Sequence, residues 1–374
     1  MKFFDFLARL VAAGFFMATP LTAGAAQIVV GQVATLSGPD GGQARAYSTG
    51  LRMALAKAGT VNGHTFRLVS KDDRGAADVL VPTRALLGEH APLVLAGYFG
   101  DASVRALVQS GLLEKEALAL VGYRVSEVRS EAPRIYSVCA SLRDEINKIV
   151  QHVQLIGLSR VGLFYQDGPG SAALIAATDE AAKGHGLKLT VKGAHAANTR
   201  NANTDVVATF LAAAPQAIIL VSNGAATASF IEKYRQGGGD ARLFSHSGAD
   251  VEQIAKYLGE EHLKGVVITQ VTPNPYKIAG RLVKEFNDAR AKSPHPDEPV
   301  SYAMMEGYIA GSVVVEAVRR MGSKVSREGF VKALEKMDNF DLGDYRVGFK
   351  PGSPQSGSHF VELTIVTAAG KIRQ

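Results

Sequence analysis

The chain has 374 residues, 47% hydrophobic and 20% charged, with a formal net charge of +6. This is ordinary globular composition, long enough for two or three packed domains with sizeable cores. Lys and Arg are scattered in runs of no more than two, without zinc-finger spacing or basic–aromatic interleaving, so the charge reads as a mildly basic surface and argues against a nucleic-acid partner.

The first segment, MKFFDFLARLVAAGFFMATPLTAGAAQ, places Lys2 and Arg9 ahead of an apolar run from Leu10 to Met17, then small residues at Ala23, Ala25 and Ala26. That order predicts a secretory signal peptide over residues 1–26, cleaved near Ala25 or Ala26. The apolar run is shorter than the roughly 20 residues a bilayer span needs. No cysteine lies near the cleavage site to carry a lipid. The expectation is an exported, soluble mature chain in the periplasm.

Short apolar runs then alternate with helical patterns. IVVGQV (28–33) reads as a strand, and Tyr47, Leu51, Ala54, Leu55 and Ala58 follow at helical spacing within 44–58. FRLVSKDD (66–73) reads as a strand and ADVLVPTRALLGE as a helix with Pro82 near its start. APLVLAGYFG (91–100) is a predicted strand, 102–115 a helix and ALALVGY (117–123) a strand. A second series follows RIYSVCAS. Its predicted helices cover 143–156, 171–184, 204–213, 226–236 and 250–258. Its strands are 160–167, LKLTVKGAH, 216–224, 241–248 and 265–271. Such alternation predicts βαβ units and parallel sheet covered by helices on both faces. The remainder breaks the pattern. PYKIAGRLVKEFNDARAK, SYAMMEGYIAGSVVVEAVRRMG and REGFVKALEKM read as helices, the first two parted by the Pro-rich SPHPDEP. The C-terminal YRVGFKPGSPQSGSHFVELTIVTAAGKI reads as strands around a Gly/Ser/Pro loop. These parts are expected to complete the two earlier series.

The loop VATLSGPDGGQARAYSTG has the outline of a nucleotide loop without its spacing. Gly31 lies inside the strand, no three of Gly31, Gly38, Gly41 and Gly42 form Gly-x-Gly-x-x-Gly, and no Gly-Lys-Ser/Thr follows. What remains is a helix N-terminus beside the Ser37 hydroxyl, suited to a carboxylate or other small polar group, or else a plain tight turn. Gly-x-Ser-x-Gly, His-Glu-x-x-His and Cys-x-x-Cys are absent. His246, with Asp250 four residues on, reads as a surface histidine beside a helix start. Asp72 and Asp73 end a strand at the edge where α/β sheets bind ligands, and read as a solvated turn or helix cap. The single cysteine, Cys139, excludes an internal disulfide, and its apolar context IYSVCASL reads as that of an inert buried thiol.

Taken in order and spacing, these stretches resemble a known family. IVVGQVATLSGPDGGQARAYSTGLRMALAKAGTVNGHTFRLVSKDD, LAGYFGDASVRAL, RVGLFYQDGPGSAAL, AIILVSNGAATASFIEKYRQGG and YAMMEGYIAGSVVVEAVRRMG are similar to the type I periplasmic solute-binding proteins of ABC importers, in the leucine/isoleucine/valine-binding branch. The likeness covers essentially the whole mature chain. It implies an α/β protein of two Rossmann-like lobes with parallel central sheets. A three-segment hinge would cross near Ser137–Ser141, Gln270–Thr272 and Gly357–Phe360, so that one lobe holds residues 27–139 and 272–356 and the other 140–271 and 357–374. It further implies a small-molecule ligand and an ABC permease in the inner membrane as partners, no enzymatic activity, no cofactor or metal, and a monomer. An extracytoplasmic sensor of the same fold, signalling to a receptor or kinase, is the alternative.

Carried over residue by residue, the resemblance places ligand contacts at Ser37 and Gly38 after the first strand and at Tyr98, Gly100, Asp101 and Ser103 around the end of the third. Tyr123 and Arg124 follow the fourth strand; Asp167, Asn223 and Ser247 belong to the second series. There are two departures. Where the family commonly sets an aromatic residue before a glycine to cover the ligand, this chain has Pro169-Gly170. Asp101 stands where amino-acid binders help hold the ligand carboxylate. Two like charges about 4 Å apart at an effective dielectric of about 20 repel by about 4 kcal/mol, roughly a thousandfold in affinity. A branched-chain amino acid in the standard pose is therefore disfavoured unless Arg124 or Arg105 neutralises Asp101. Three placements of Asp101 stay open: contact with a cationic or amide-bearing ligand, pairing with Arg124 while Tyr98 and Tyr123 stack on the ligand, or capping helix 102–115.

Overall fold

The computed structural model describes residues 26–38, 41–75, 78–128, 132–196, 199, 201–258, 260–294, 298–349, 357–366 and 372–373. The expected signal peptide, but for Ala26, lies outside them. In the first series, β1 (Ala26–Ala34), α1 (Gly42–Ala58), β2 (His64–Asp72), α2 (Leu80–His90), β3 (Val94–Phe99), α3 (Asp101–Gln109), α4 (Leu112–Lys115), β4 (Leu120–Arg124) and β5 (Ile135–Tyr136) alternate as their apolar periods dictate. The five strands form one parallel sheet in the order β2-β1-β3-β4-β5. The helix expected over 102–115 is split. Gly111 takes a left-handed φ of 64°, which glycine adopts freely, and it separates α3 from α4.

The second series opens with α5 (Leu142–Leu155). Ser141 Oγ accepts from Asp144 N, and the Asp144 carboxylate accepts from Ser141 N at 3.0 Å, a reciprocal cap. There follow β6 (Arg160–Gln166), α6 (Ser171–Gly184), β7 (Lys188–His195), α7 (Thr204–Ala213), β8 (Ala217–Val221), α8 (Gly224–Gln236), β9 (Arg242–Ser245), α9 (Val251–Tyr257), α10 (Glu260–Leu263) and β10 (Val267–Gln270). β6 to β10 are mutually parallel.

The remaining elements divide between the two sheets. α11 (Arg281–Ala291), α12 (Tyr302–Met321) and α13 (Arg327–Glu335) return to the first lobe, followed by the small hairpin of β11 (Phe340–Asp341) and β12 (Arg346–Val347). α11 starts six residues later than the sequence pattern suggests, with Gly280 in extended conformation at its N-cap. β13 (Glu362–Val366) and β14 (Ile372–Arg373) add antiparallel to β10, giving β14-β13-β10-β9-β8-β6-β7. α12 is buried over most of its circumference, because it lies directly on α1. A Cβ on Gly50 would stand 1.8 Å from Met304 O, and one on Gly307 2.0 Å from Tyr47 O. Among the described residues no helix is long and apolar enough to cross a membrane.

Three crossings connect the lobes, and they run side by side. The Tyr345 hydroxyl lies 2.7 Å from Val138 O in the first crossing and 3.0 Å from Val271 O in the second. Gly357 opens the third with a φ of 108° and packs on Cys139 O, which a Cβ would approach to 2.9 Å. Cys139 is buried in this joint. Burial pushes its thiol pKa up, and the neighbouring Glu306 adds to the shift.

Candidate functional site

The loops at the carboxyl ends of the two sheets meet. Arg124, the last residue of β4, donates from Nη2 to Ser247 O beyond β9 at 3.0 Å. Gly248 packs against Ser126, and Gly170 against Glu127, so closely that a Cβ on either would meet the opposing side chain at 3.3 and 2.9 Å. A cavity of about 810 Å³ opens at this junction.

Its floor is a chain of buried polar groups drawn from distant segments. Arg124 Nε lies 3.2 Å from Glu306 Oε2, with the two side chains only 10% and 4% exposed. Glu306 sits one turn into α12, in an otherwise apolar stretch. Burial raises its carboxyl pKa while Arg124 pulls it down. Glu145, from the first turn of α5, accepts from Ser247 N at 2.7 Å and Ser247 Oγ at 3.1 Å, and from Thr269 Oγ1. Burial pushes Glu145 up to about 7 against those hydrogen bonds. Arg124 and Ser247 thus link Glu306 of the first lobe to Glu145 of the second. An ion pair buried this deeply is costly to desolvate and is held by the hydrogen bonds that complete it.

Of the residues carried over by resemblance, Tyr123, Arg124 and Ser247 line the cavity. The others serve the frame around it. Ser37 and Gly38 are exposed. The Ser37 hydroxyl bonds Asp72, whose carboxyl burial tends to raise but which the donors of Leu36, Ser37 and Arg74 bring down to about 2. Asp73 accepts from Thr35 Oγ1 at 2.7 Å. The two aspartates therefore fasten the first loop, Asp73 buried and Asp72 part-exposed. Gly100, with φ 89°, donates to Arg124 O at 2.9 Å, and Ser103 is half-buried on α3. Asp167 accepts from Gly168 N at 3.0 Å and Ser171 Oγ at 3.2 Å. Asn223 caps α8 through Ala226 N at 2.9 Å and reaches Gln166 Oε1 at 3.4 Å.

Three expectations are corrected. Tyr98 does not stack in the cleft: it is fully buried beneath α2 and α3, with its hydroxyl 3.0 Å from Thr83 Oγ1. Asp101 does not cap its helix, where Gly100 holds the cap position. It accepts instead from Ser126 N at 2.7 Å, tying the β3–α3 loop to the loop after β4, while Arg124 is engaged by Glu306 and Ser247. His246 is buried and not on the surface. Nε2 faces Ser222 O at 3.1 Å and Nδ1 faces Gly248 N at 3.2 Å, and burial lowers its pKa to about 4, so the ring is neutral.

Glu145 and Glu306 escaped the sequence reading, yet each carries a signal. A lone carboxylate in YAMMEGYIAGSVVV, or on the face formed by Leu142, Ile146, Ile149 and Val153, must find a buried partner.

Comparisons across the chain match this arrangement. A family model for periplasmic binding proteins covers residues 27–369. A substrate-binding periplasmic protein from Ralstonia solanacearum is 33% identical, with a TM-score of 0.84 over 92% of this chain and 99% of its own. A possible leucine/isoleucine/valine-binding protein from Rhodopirellula baltica is similar in fold, at 23% identity and TM-score 0.82, over 96% of this chain and 98% of its own. So is a leucine binding protein from Thermotoga maritima, at 18% identity and TM-score 0.78, over 92% and 97%. No curated protein matches the chain. With two α/β lobes built on parallel central strands, strand ends facing one cavity and a family match over nearly all the described length, this chain belongs to the type I periplasmic binding proteins.

Proposed function

We propose that the chain is the periplasmic solute-binding component of an ABC importer. It captures a small polar molecule, an amino acid, amide or related compound, and delivers it to an inner-membrane permease. The observation that carries this reading is the meeting of two sets of strand ends over one cavity with a charged floor. Ligands of open α/β sheets bind beyond the carboxyl ends of the strands, and two such edges enclose a solute when a hinge closes them. Arg124, Ser247 and Tyr123 are the contacts that this placement favours. No step of bond making is needed. The hydrogen-bonded pair His195 and Ser222, 2.5 Å apart, is buried in the second lobe away from the cavity, so no substrate reaches the hydroxyl.

Native mass spectrometry of the protein recovered from the periplasm tests the reading. The expected result is a co-purified small molecule, lost on mild unfolding and restored by titration. A protein found only in the cytoplasm, or one that carries no solute and gains no thermal stability from amino acids and amides, defeats it.

A further inference from the structure

The cavity extends past the interlobe floor. From Arg124 and Ser247 it runs beside the edge strand β5 to α13, where Arg134, Lys332 and Glu335 line it. Its volume of about 810 Å³ is that of a pocket for a drug-sized ligand, more than one compact amino acid fills. Between the two ends Val128, Tyr136, Val331 and Phe349 contribute apolar wall. Tyr136 and Phe349 stand edge to face, ring centroids 5.4 Å apart.

The outer end holds an unused donor. Arg134 Nη2 pairs with Glu328 Oε1 at 2.8 Å. Arg134 Nη1 is buried and meets no acceptor among the described residues. Buried guanidinium N–H groups are nearly always satisfied, so an orphan on a residue that lines a cavity points to an acceptor that arrives with a ligand and is met by a small turn of the guanidinium. The backbone of Arg134 is anchored, because its carbonyl accepts from Leu120 N at 2.8 Å at the sheet edge. Lys332 adds a second cation to this end. Glu328 is held by Arg134, and Glu335 accepts from the Tyr136 hydroxyl at 3.2 Å. Arg134 and Lys332 balance these two carboxylates, so a singly charged planar oxygen group is repelled less than a dianion such as phosphate and matches the guanidinium N–H.

We infer that the α13 side of the cavity is a subsite for a carboxylate carried on an apolar body and received by Arg134. The solute is then an elongated organic acid, reaching from the Arg124–Ser247 floor past β5, and not a compact α-amino acid. The inference rests on the solute-binding reading and replaces its amino acid or amide with an organic acid.

Calorimetric titration of the mature protein with 4-phenylbutyrate, its uncharged amide and leucine tests the subsite. The acid is expected to bind about ten- to a hundredfold tighter than the amide, the range of one charge-assisted hydrogen-bonded pair. Arg134→Gln is expected to remove that preference while leaving the amide unaffected. Glu328→Gln, which releases the second guanidinium nitrogen, is expected to tighten the acid several-fold, a gain that misfolding cannot mimic. Equal binding of acid and amide, indifference to both substitutions, or binding of leucine alone overturns the subsite. If none of the three binds while native mass spectrometry finds another solute, the carboxylate subsite falls and solute binding stands. If no solute is found either, both fall.

Discussion

Arg124 touches both lobes, and its two bonds differ in kind. The ion pair with Glu306 lies within the first lobe; the bond to Ser247 O crosses to the second. Arg124→Ala leaves Glu306 buried without its counter-charge, and urea denaturation is expected to show a loss of about 3–5 kcal/mol. Arg124→Met combined with Glu306→Leu should recover most of that stability. Solute titration should still fail, because the cavity floor has lost its donor. Recovery of both stability and binding in the double variant would show that the pair is only structural. Glu145 makes the second residue-scale prediction. Its carboxyl is raised from the usual 4.5 to about 7, chiefly by burial, so the folded protein binds this proton more tightly than the unfolded chain. The contribution to stability is then greatest below the unfolded value and falls as pH rises through the folded one. Between about pH 5 and about pH 8 the loss is roughly 2–3 kcal/mol. Denaturation curves for Glu145→Gln should lack that loss, and parallel curves for the two proteins would refute the assignment.

At the scale of elements, the contact of α1 with α12 sets the geometry of the first lobe. Glycines at 50 and 307 let the two backbones touch. Gly307→Ala must push the helices apart, and a cost of about 3 kcal/mol or more in denaturant unfolding is expected. Gly88→Ala in α2 has nothing within 4 Å of the new methyl. It should be neutral or stabilising by up to about 1 kcal/mol, since it only stiffens the unfolded chain. Equal effects at the two sites would contradict the close packing. Most elements were legible in the sequence because their signals are local: 171–184 and 204–213 follow directly from apolar spacing. The split at Gly111 was missed because periodicity continues across it. Tyr98 was misplaced for a different reason. Its position near the strand end suggested the cleft, but the alternation of β3 turns its ring under α2 and α3. The floor was the least legible part. Arg124, Glu145, Ser247 and Glu306 meet only through tertiary packing, and no spacing in the chain announces that meeting.

For the whole molecule, the joint between lobes sets how the two can move. Tyr345 fastens the first crossing to the second, and Gly357 lays the third against the first. Crossings joined in this way favour rotation about a common axis over independent sliding. Tyr345→Phe removes the shared hydroxyl and is expected to weaken solute binding severalfold without changing the contacts in the cavity. Unchanged affinity would mean that packing alone sets the axis. The thiol at Cys139 gains an unplanned use from its position in that joint. As the chain's single cysteine, it offers a labelling reagent one target with no background, and that target is buried at the wall of the cavity. Its modification rate therefore reports how freely the cavity admits a reagent. Maleimide labelling of the wild-type protein should slow in step with solute occupancy, reporting capture without a dye, a tag or an engineered residue.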